Sequence, residues 1–380
     1  LPHNIVRAMD MDSQGQLWLA THGGLSRFDP VTQTFRNYFH EPGNPDSLSS
    51  NVIWRVLVDS TGLVWVGARD ALNVLDPETG QVTRHVHDPQ DPDSIAGDRI
   101  SALYEDQAGD IWFSTMTTGV SRYNKTSAGF INYTHEPGNS NSLSNASVFS
   151  VTQDSDGGFW FGTRGGLSHF DPAAAQFRHY SVADGLPNDV IYGVLQDADG
   201  ELWMSTNKGI SSFDINTETF TNYGLSDGLQ GEEFNNGAYF RGSQGEMYFG
   251  GINGFNTFHP DDIERNAYEP PVVITRFTVL NEDRVVNAFL DSMPEIELDY
   301  RENYLSFEFA ALDYAAPSRN QYAYRLSGVD EHWIQSDLRR YASYTNLAPG
   351  QYVFQVMGSN SDGLWSREIA ELRITITPAF

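Results

Sequence analysis

Three sets of residues in this 380-residue chain stand at spacings that could support chemistry. Asp154-Ser155-Asp156-Gly157 and Asp197-Ala198-Asp199-Gly200-Glu201 cluster carboxylates as a cation site would. His40, His87 and His135 recur in "HEP", "HDP" and "HEP", which invites a metal reading. Arginines and amides that differ from place to place, among them Arg55, Arg69 and Arg164, could receive an anion. The calcium reading fails on ligand count, because residues 197–201 offer three carboxylates but neither a twelve-residue loop nor a distal Glu. An Asp-box would need Asp two residues before the glycine, where this chain has Ser13, Ser60, Gln107, Ser155 and Ala198. There are no cysteines, so thiolate metal sites, disulfides and cysteine nucleophiles are excluded together. No G-x-S-x-G, H-E-x-x-H or phosphate-binding glycine loop occurs.

What these residues do follows from the elements that carry them. An aromatic follows an Asp/Gly turn six times, at Trp18, Trp65, Trp112, Trp160, Trp203 and Tyr248, with spacings of 47, 47, 48, 43 and 45. Asp12, Asp59, Asp106, Asp154 and Asp197 precede five of these by six residues, and Gly242 takes that place in the sixth. All six have Gly three residues before the aromatic. Each period holds four short strand-like runs, as in "VIWRVLVD", "LVWVGAR", "ALNVLDP" and "QVTRHVH". Four strands in about 45 residues, repeated, is the pattern of a β-propeller blade. The Asp-x-x-Gly unit is then the turn from strand one to strand two, with Asp capping its own backbone and Gly at positive φ. Small residues Ala8, Ala102, Ser150 and Gly193 suit an innermost strand near the axis, where Arg55 stands out.

From about residue 268 the period disappears. "PPVVITRFTVL", "YLSFEFAALDY" and "ELRITITP" alternate apolar and polar residues between Pro/Gly turns, which predicts a β-sandwich of roughly 110 residues. Tyr352, after "APG", stands where a tyrosine corner would bond back to the preceding turn. The expected organisation is all-β: a propeller of four-stranded blades over 1–266, then an Ig/fibronectin-like sandwich over 267–380.

The compound motif D-x-x-G-x-[IVLF]-W-[IVLMF]-[GAS]-[TA] resembles the two-component-regulator propeller repeat of periplasmic sensors in hybrid two-component histidine kinases and related diguanylate cyclases. The links "EPGNPDSLSSN" (41–51), "DPQDPDSIAGD" (88–98) and "DGLPND" (184–189) are similar to its inter-blade connections. Tyr322, Tyr324, Leu326, Trp333, "NLAPGQY" (346–352) and "GLWS" (363–366) resemble the tyrosine-rich Ig-like module that follows such propellers. The resemblance implies that six repeats are part of a seven-bladed ring. It also implies a periplasmic portion of an inner-membrane protein, a following transmembrane helix, a homodimer through the Ig-like module, and a kinase or cyclase output. Two departures stand out: the sixth unit has Tyr248 for Trp and Gly242 for Asp, and no clear fourth strand precedes residue 268.

A formal charge of −27 argues against nucleic acid or an anionic membrane surface as partner. The three histidines occupy equivalent outer positions that point apart around a ring, so they are expected to be structural rather than one metal site. No cofactor, metal or catalytic residue is expected. Ligand contacts are sought where the repeats disagree, at the strand two–three turns: His22, Arg69 with Asp70, Arg164, Asn207 with Lys208, and Asn253, together with Arg55 near the axis. Arginines with nearby aromatics suit a small ligand, a saccharide or another anion. The expected function is a non-catalytic ligand-sensing domain. The alternatives are a propeller lyase or glycosidase using funnel carboxylates, and a protein-binding scaffold.

Overall fold

The computed structural model describes residues 1–264, 266–284 and 295–379. They form two compact units, Leu1–Asp262 and Ile263–Phe380. The first unit is a β-propeller array of six antiparallel sheets with strands in chain order. Blade 2 is typical, with strands Ile53–Val58, Val64–Ala68, Leu72–Leu75 and Val82–His85. Blades 1 to 5 have four strands, whereas blade 6 has three, Phe234–Arg241, Met247–Gly251 and Gly254–Phe258. First strands of successive blades lie side by side from blade 1 through blade 6, as sheets arranged about an axis require.

The Asp-x-x-Gly unit joins strand one to strand two in blades 1 to 5, and it does more than turn the chain. In blade 4, Asp154 Oδ1 accepts from the backbone N–H groups of Asp156 and Gly158, at 3.0 and 2.8 Å. Its Oδ2 accepts from the Trp160 indole Nε1 at 2.8 Å. The same indole bond recurs from Trp18 to Asp12 (3.0 Å), Trp65 to Asp59 (2.7 Å), Trp112 to Asp106 (2.8 Å) and Trp203 to Asp197 (2.9 Å). Gly157, at φ +90°, lets the turn close so that one carboxylate reaches both partners. A buried indole N–H without an acceptor is costly, so the turn also seats the tryptophan.

Each seated tryptophan glues its blade to the next. Trp18 clusters with Val64 and Val66 of blade 2, Trp65 with Ile111 and Phe113 of blade 3, and Trp160 with Leu202 and Met204 of blade 5. Trp112 meets Phe159 of blade 4 with ring centroids 4.0 Å apart. The links add one buried aliphatic each, Leu48, Ile95, Leu143 and Leu186. His40, His87 and His135 belong to these links. Each ring Nδ1 lies 2.6–2.7 Å from the carbonyl of Leu48, Ile95 or Leu143, which pins the link beneath the blade edge.

The second unit packs two sheets face to face. One orders Glu282–Arg284, Val272–Val279, Leu305–Ala311 and Tyr341–Tyr344. The other orders Glu295–Leu298, Ala370–Ile376, Gly350–Gly358, Tyr322–Ser327 and Ile334–Asp337. Leu305, Phe307 and Phe309 turn inward, and Phe307 stacks on Phe354 at 3.8 Å between ring centroids. Tyr352 makes the expected corner, its hydroxyl donating to the Ala348 carbonyl at 2.8 Å.

Asp154→Ala removes the acceptor of one buried indole and two amides, so a loss of roughly 3 kcal/mol is expected. Urea unfolding at unchanged m checks this; a change within about 0.5 kcal/mol would separate the turn from the tryptophan's seating. Burial by itself would raise the carboxyls of Asp12, Asp59 and Asp154, but their hydrogen bonds outweigh it and hold them below the ordinary 3.8. Their contribution is therefore complete above that value and lost as pH falls through the lower folded pKa. Tryptophan fluorescence should show no unfolding down to about pH 5 and a transition only in stronger acid.

Candidate functional site

The first strands of blades 1 to 5 each carry one residue too many opposite strand two. The unpaired residues are Arg7, Trp54, Ser101, Phe149 and Tyr192. Such a bulge re-aims a side chain out of the sheet, and bulges gather at barrel rims and sites. In blades 1 to 4 they are placed by the bond that enters the blade. The amide after strand two donates to the residue just before strand one: His22 to Ile5, Arg69 to Val52, Met116 to Arg99 and Arg164 to Ser147, at 3.0–3.2 Å. Strand two–three turns, bulges and blade entries thus share one end of the array.

At that end, between blades 2 and 3, lies a cavity of about 340 Å³ lined by Val52, Trp54, Arg69 and Arg99. Arg7 borders it through Trp54, its guanidinium 4.9 Å from the indole centroid. Arg7 Nε donates to His22 Nε2 at 2.9 Å, and the His22 ring lies 5.6 Å from Trp54, edge to face. Desolvation, then the charge of Arg7, lowers the His22 pKa, which keeps the imidazole neutral and able to accept that bond. Among the described residues, Arg7, Arg69 and Arg99 form no ion pair. Unpaired guanidiniums beside an indole, in a chain of net charge −27, make a local positive spot in a negative molecule.

The structure gathers some of the expected residues and separates others. His22, Arg69 and the exposed Asp70 stand at or beside this cleft, on blades 1 and 2. Arg164, Asn207 with Lys208, and Asn253 occupy the equivalent turns of blades 4, 5 and 6, away from it in the array. Asn253 is tied to Gln230 by two hydrogen bonds. Arg55 does reach inward but is committed there: Nε donates to the Ser101 carbonyl at 2.6 Å, Nη1 to the Trp54 carbonyl at 2.8 Å, and Nη2 to Asn236 Oδ1 of blade 6 at 3.0 Å. It is a strut linking blades 2, 3 and 6. Gly193 is glycine because a Cβ there would fall 2.4 Å from Tyr239 of blade 6.

Arg99 was absent from the expected set. It sits at a blade entry, where blades 1, 2, 4 and 5 put Ile5, Val52, Ser147 and Val190. The comparison of unlike residues at equivalent positions applies there as well as at the turns, and would have found it.

Models of known families match both units. The two component regulator propeller matches residues 1–23, 94–117, 142–165 and 185–208, and the Y_Y_Y domain matches 313–377. The chain carries these propeller repeats followed by a Y_Y_Y domain. Histidine kinase P4 of Formosa agariphila is 34% identical over 155 residues, which are 39% of this chain and 11% of that kinase. The extracellular domain of the hybrid two-component system BT3049 of B. thetaiotaomicron superposes with TM-score 0.79 at 26% identity, covering 99% of this chain and 50% of that one. The extracellular domain of BT4673, a one-component system of the same bacterium, shares the fold, with TM-score 0.54, 22% identity, and coverage of 100% of this chain and 51% of its own. This chain therefore spans about half of those extracellular domains and a small part of the kinase. Among the described residues no helix is long and apolar enough to cross a membrane.

Arg55→Ala should cost about 2 kcal/mol, because it releases three acceptors on three blades. Arg69→Ala should leave stability within about 0.5 kcal/mol, as for a surface change that breaks no bond. Thermal unfolding of the two variants side by side checks the division between strut and site.

Proposed function

We propose that this chain is a non-catalytic, ligand-receiving, extracytoplasmic part of a bacterial transmembrane receptor whose output is a cytoplasmic kinase or diguanylate cyclase. The observation that carries the reading is the pairing of propeller repeats with a Y_Y_Y domain in one chain, similar along nearly its whole length to the extracellular domain of a hybrid two-component system. The cleft chemistry favours recognition over turnover. The side chains that line the cleft, Val52, Trp54, Arg69 and Arg99, neither take up nor release a proton near neutral pH, and His22 beside it is already bonded to Arg7, whereas hydrolysis or elimination needs an acid and a base of separated pKa at the reacting bond.

In this reading a small ligand enters at the blade 2–3 rim, and the β-sandwich passes the signal on toward a membrane helix. Ligand can signal only by binding two arrangements unequally, and two poses of a sandwich homodimer supply such a pair.

The test uses the full-length receptor with a reporter of its regulated promoter, challenged with a panel of saccharides. A response in the parent that disappears in an Arg69→Ala/Arg99→Ala variant expressed at the same level supports the reading. Consumption of a saccharide by the purified chain would replace it with the enzyme reading. A response unchanged in the double variant would move reception elsewhere.

A further inference from the structure

We propose that the blade 2–3 cleft is a site for a single pyranose ring bearing a carboxylate or sulfate, with Arg69 and Arg99 holding the oxyanion and the Trp54 indole packing against the sugar's C–H face. The inference rests on the sensing role proposed above and adds the class of ligand and the role of each residue.

Volume limits the occupant first. About 340 Å³ lies at the lower end of small-molecule sites, enough for one substituted ring and too small for a folded partner. Charge limits it next. Arg69 and Arg99 enter the cleft from different blades, one on the strand two–three turn of blade 2 and the other at the entry to blade 3. Their backbones are fixed on either side, since the Arg69 amide is bonded to Val52 and the Arg99 carbonyl accepts from Met116, both at 3.1 Å. Two guanidiniums without carboxylate partners offer up to ten N–H donors to planar or tetrahedral oxyanions, the geometry at which arginine excels.

Trp54 decides between a bare anion and a ring. A site for sulfate or phosphate alone has no use for a half-buried indole in its wall, and Val52 extends that apolar wall beside it. Arg7 already covers the indole at 4.9 Å, and it is oriented by its bond to neutral His22. The guanidinium lies over one face of the indole, and the sugar's apolar side is assigned to the other. The extended polyanions that bind basic surfaces are disfavoured by the net charge of −27 around this one spot. A short ligand can use the local field without meeting the rest.

The test is calorimetric titration and thermal shift of the purified chain with galacturonate, glucuronate, 6-sulfo-N-acetylglucosamine, inorganic sulfate and the neutral parent sugars. At least one anionic sugar is expected to bind at or below about 10 mM, at least tenfold tighter than its neutral parent and than sulfate, and more weakly at high salt. The uronate and sulfated arms identify which oxyanion the pair prefers. Arg69→Ala and Arg99→Ala should each weaken binding about tenfold or more, and Trp54→Ala should remove the advantage over free sulfate. The two arginine variants should keep the parent's unliganded Tm, which separates loss of a contact from loss of folding. Equal binding of neutral and anionic sugars, no binding of any anionic probe at that concentration, or unchanged binding in the arginine variants would overturn the assignment. A receptor that still answers to a neutral saccharide would leave the sensing role standing and remove only this inference.

Discussion

The propeller depends on one carboxylate used twice. In blades 1 to 5 an aspartate spends one oxygen on the amides of its own turn and the other on an indole six residues ahead. The first bond shapes the hairpin, and the second fixes a large side chain in the plane where the next sheet must pack. Local turn geometry and blade-to-blade adhesion are therefore set by the same atom pair. Blade 6 shows the coupling by losing both halves together, with Gly242 in place of the acid and Tyr248 in place of the indole. It is also the blade with three strands.

Once the interior is determined in this way, variation is free at the end of the array where turns, bulges and blade entries meet. That end carries residues the repeat does not require. Arg7, Trp54, Arg69 and Arg99 hold their neighbourhood by packing and by polarity, and the fold would stand with other residues at those places. Arg55 is the contrary case. It is as singular in sequence as the others, yet its three hydrogen bonds make it part of the framework. Singularity marks a candidate, and partners decide its role.

The sequence made the blade period, the capping turn, the worn sixth unit and the Tyr352 corner legible, because each is written within a short stretch of chain. The indole bond was not read from it. The Asp–Trp spacing was visible, but only the hairpin brings Oδ2 and Nε1 into contact. Arg99 lies outside the strand two–three turns, at a blade entry where the repeat sets no residue type. Arg55 pointed inward as expected, but its acceptors lie on Ser101 and Asn236, 46 and 181 residues away, a pairing that no local pattern encodes.

In the second unit, Ala370–Ile376 lies inside its sheet, antiparallel to Gly350–Gly358 and parallel to Glu295–Leu298. During synthesis that strand emerges after both its neighbours, so the sandwich cannot close until the ribosome has passed residue 376. Until then two strands wait with unpaired edges, and the parallel partner must be recruited across some 78 residues of intervening chain. Non-local pairing of this kind is slow and leaves hydrophobic strands open to strangers. The unit's exposure to chaperones and to misassembly is concentrated in the interval before its final strand arrives.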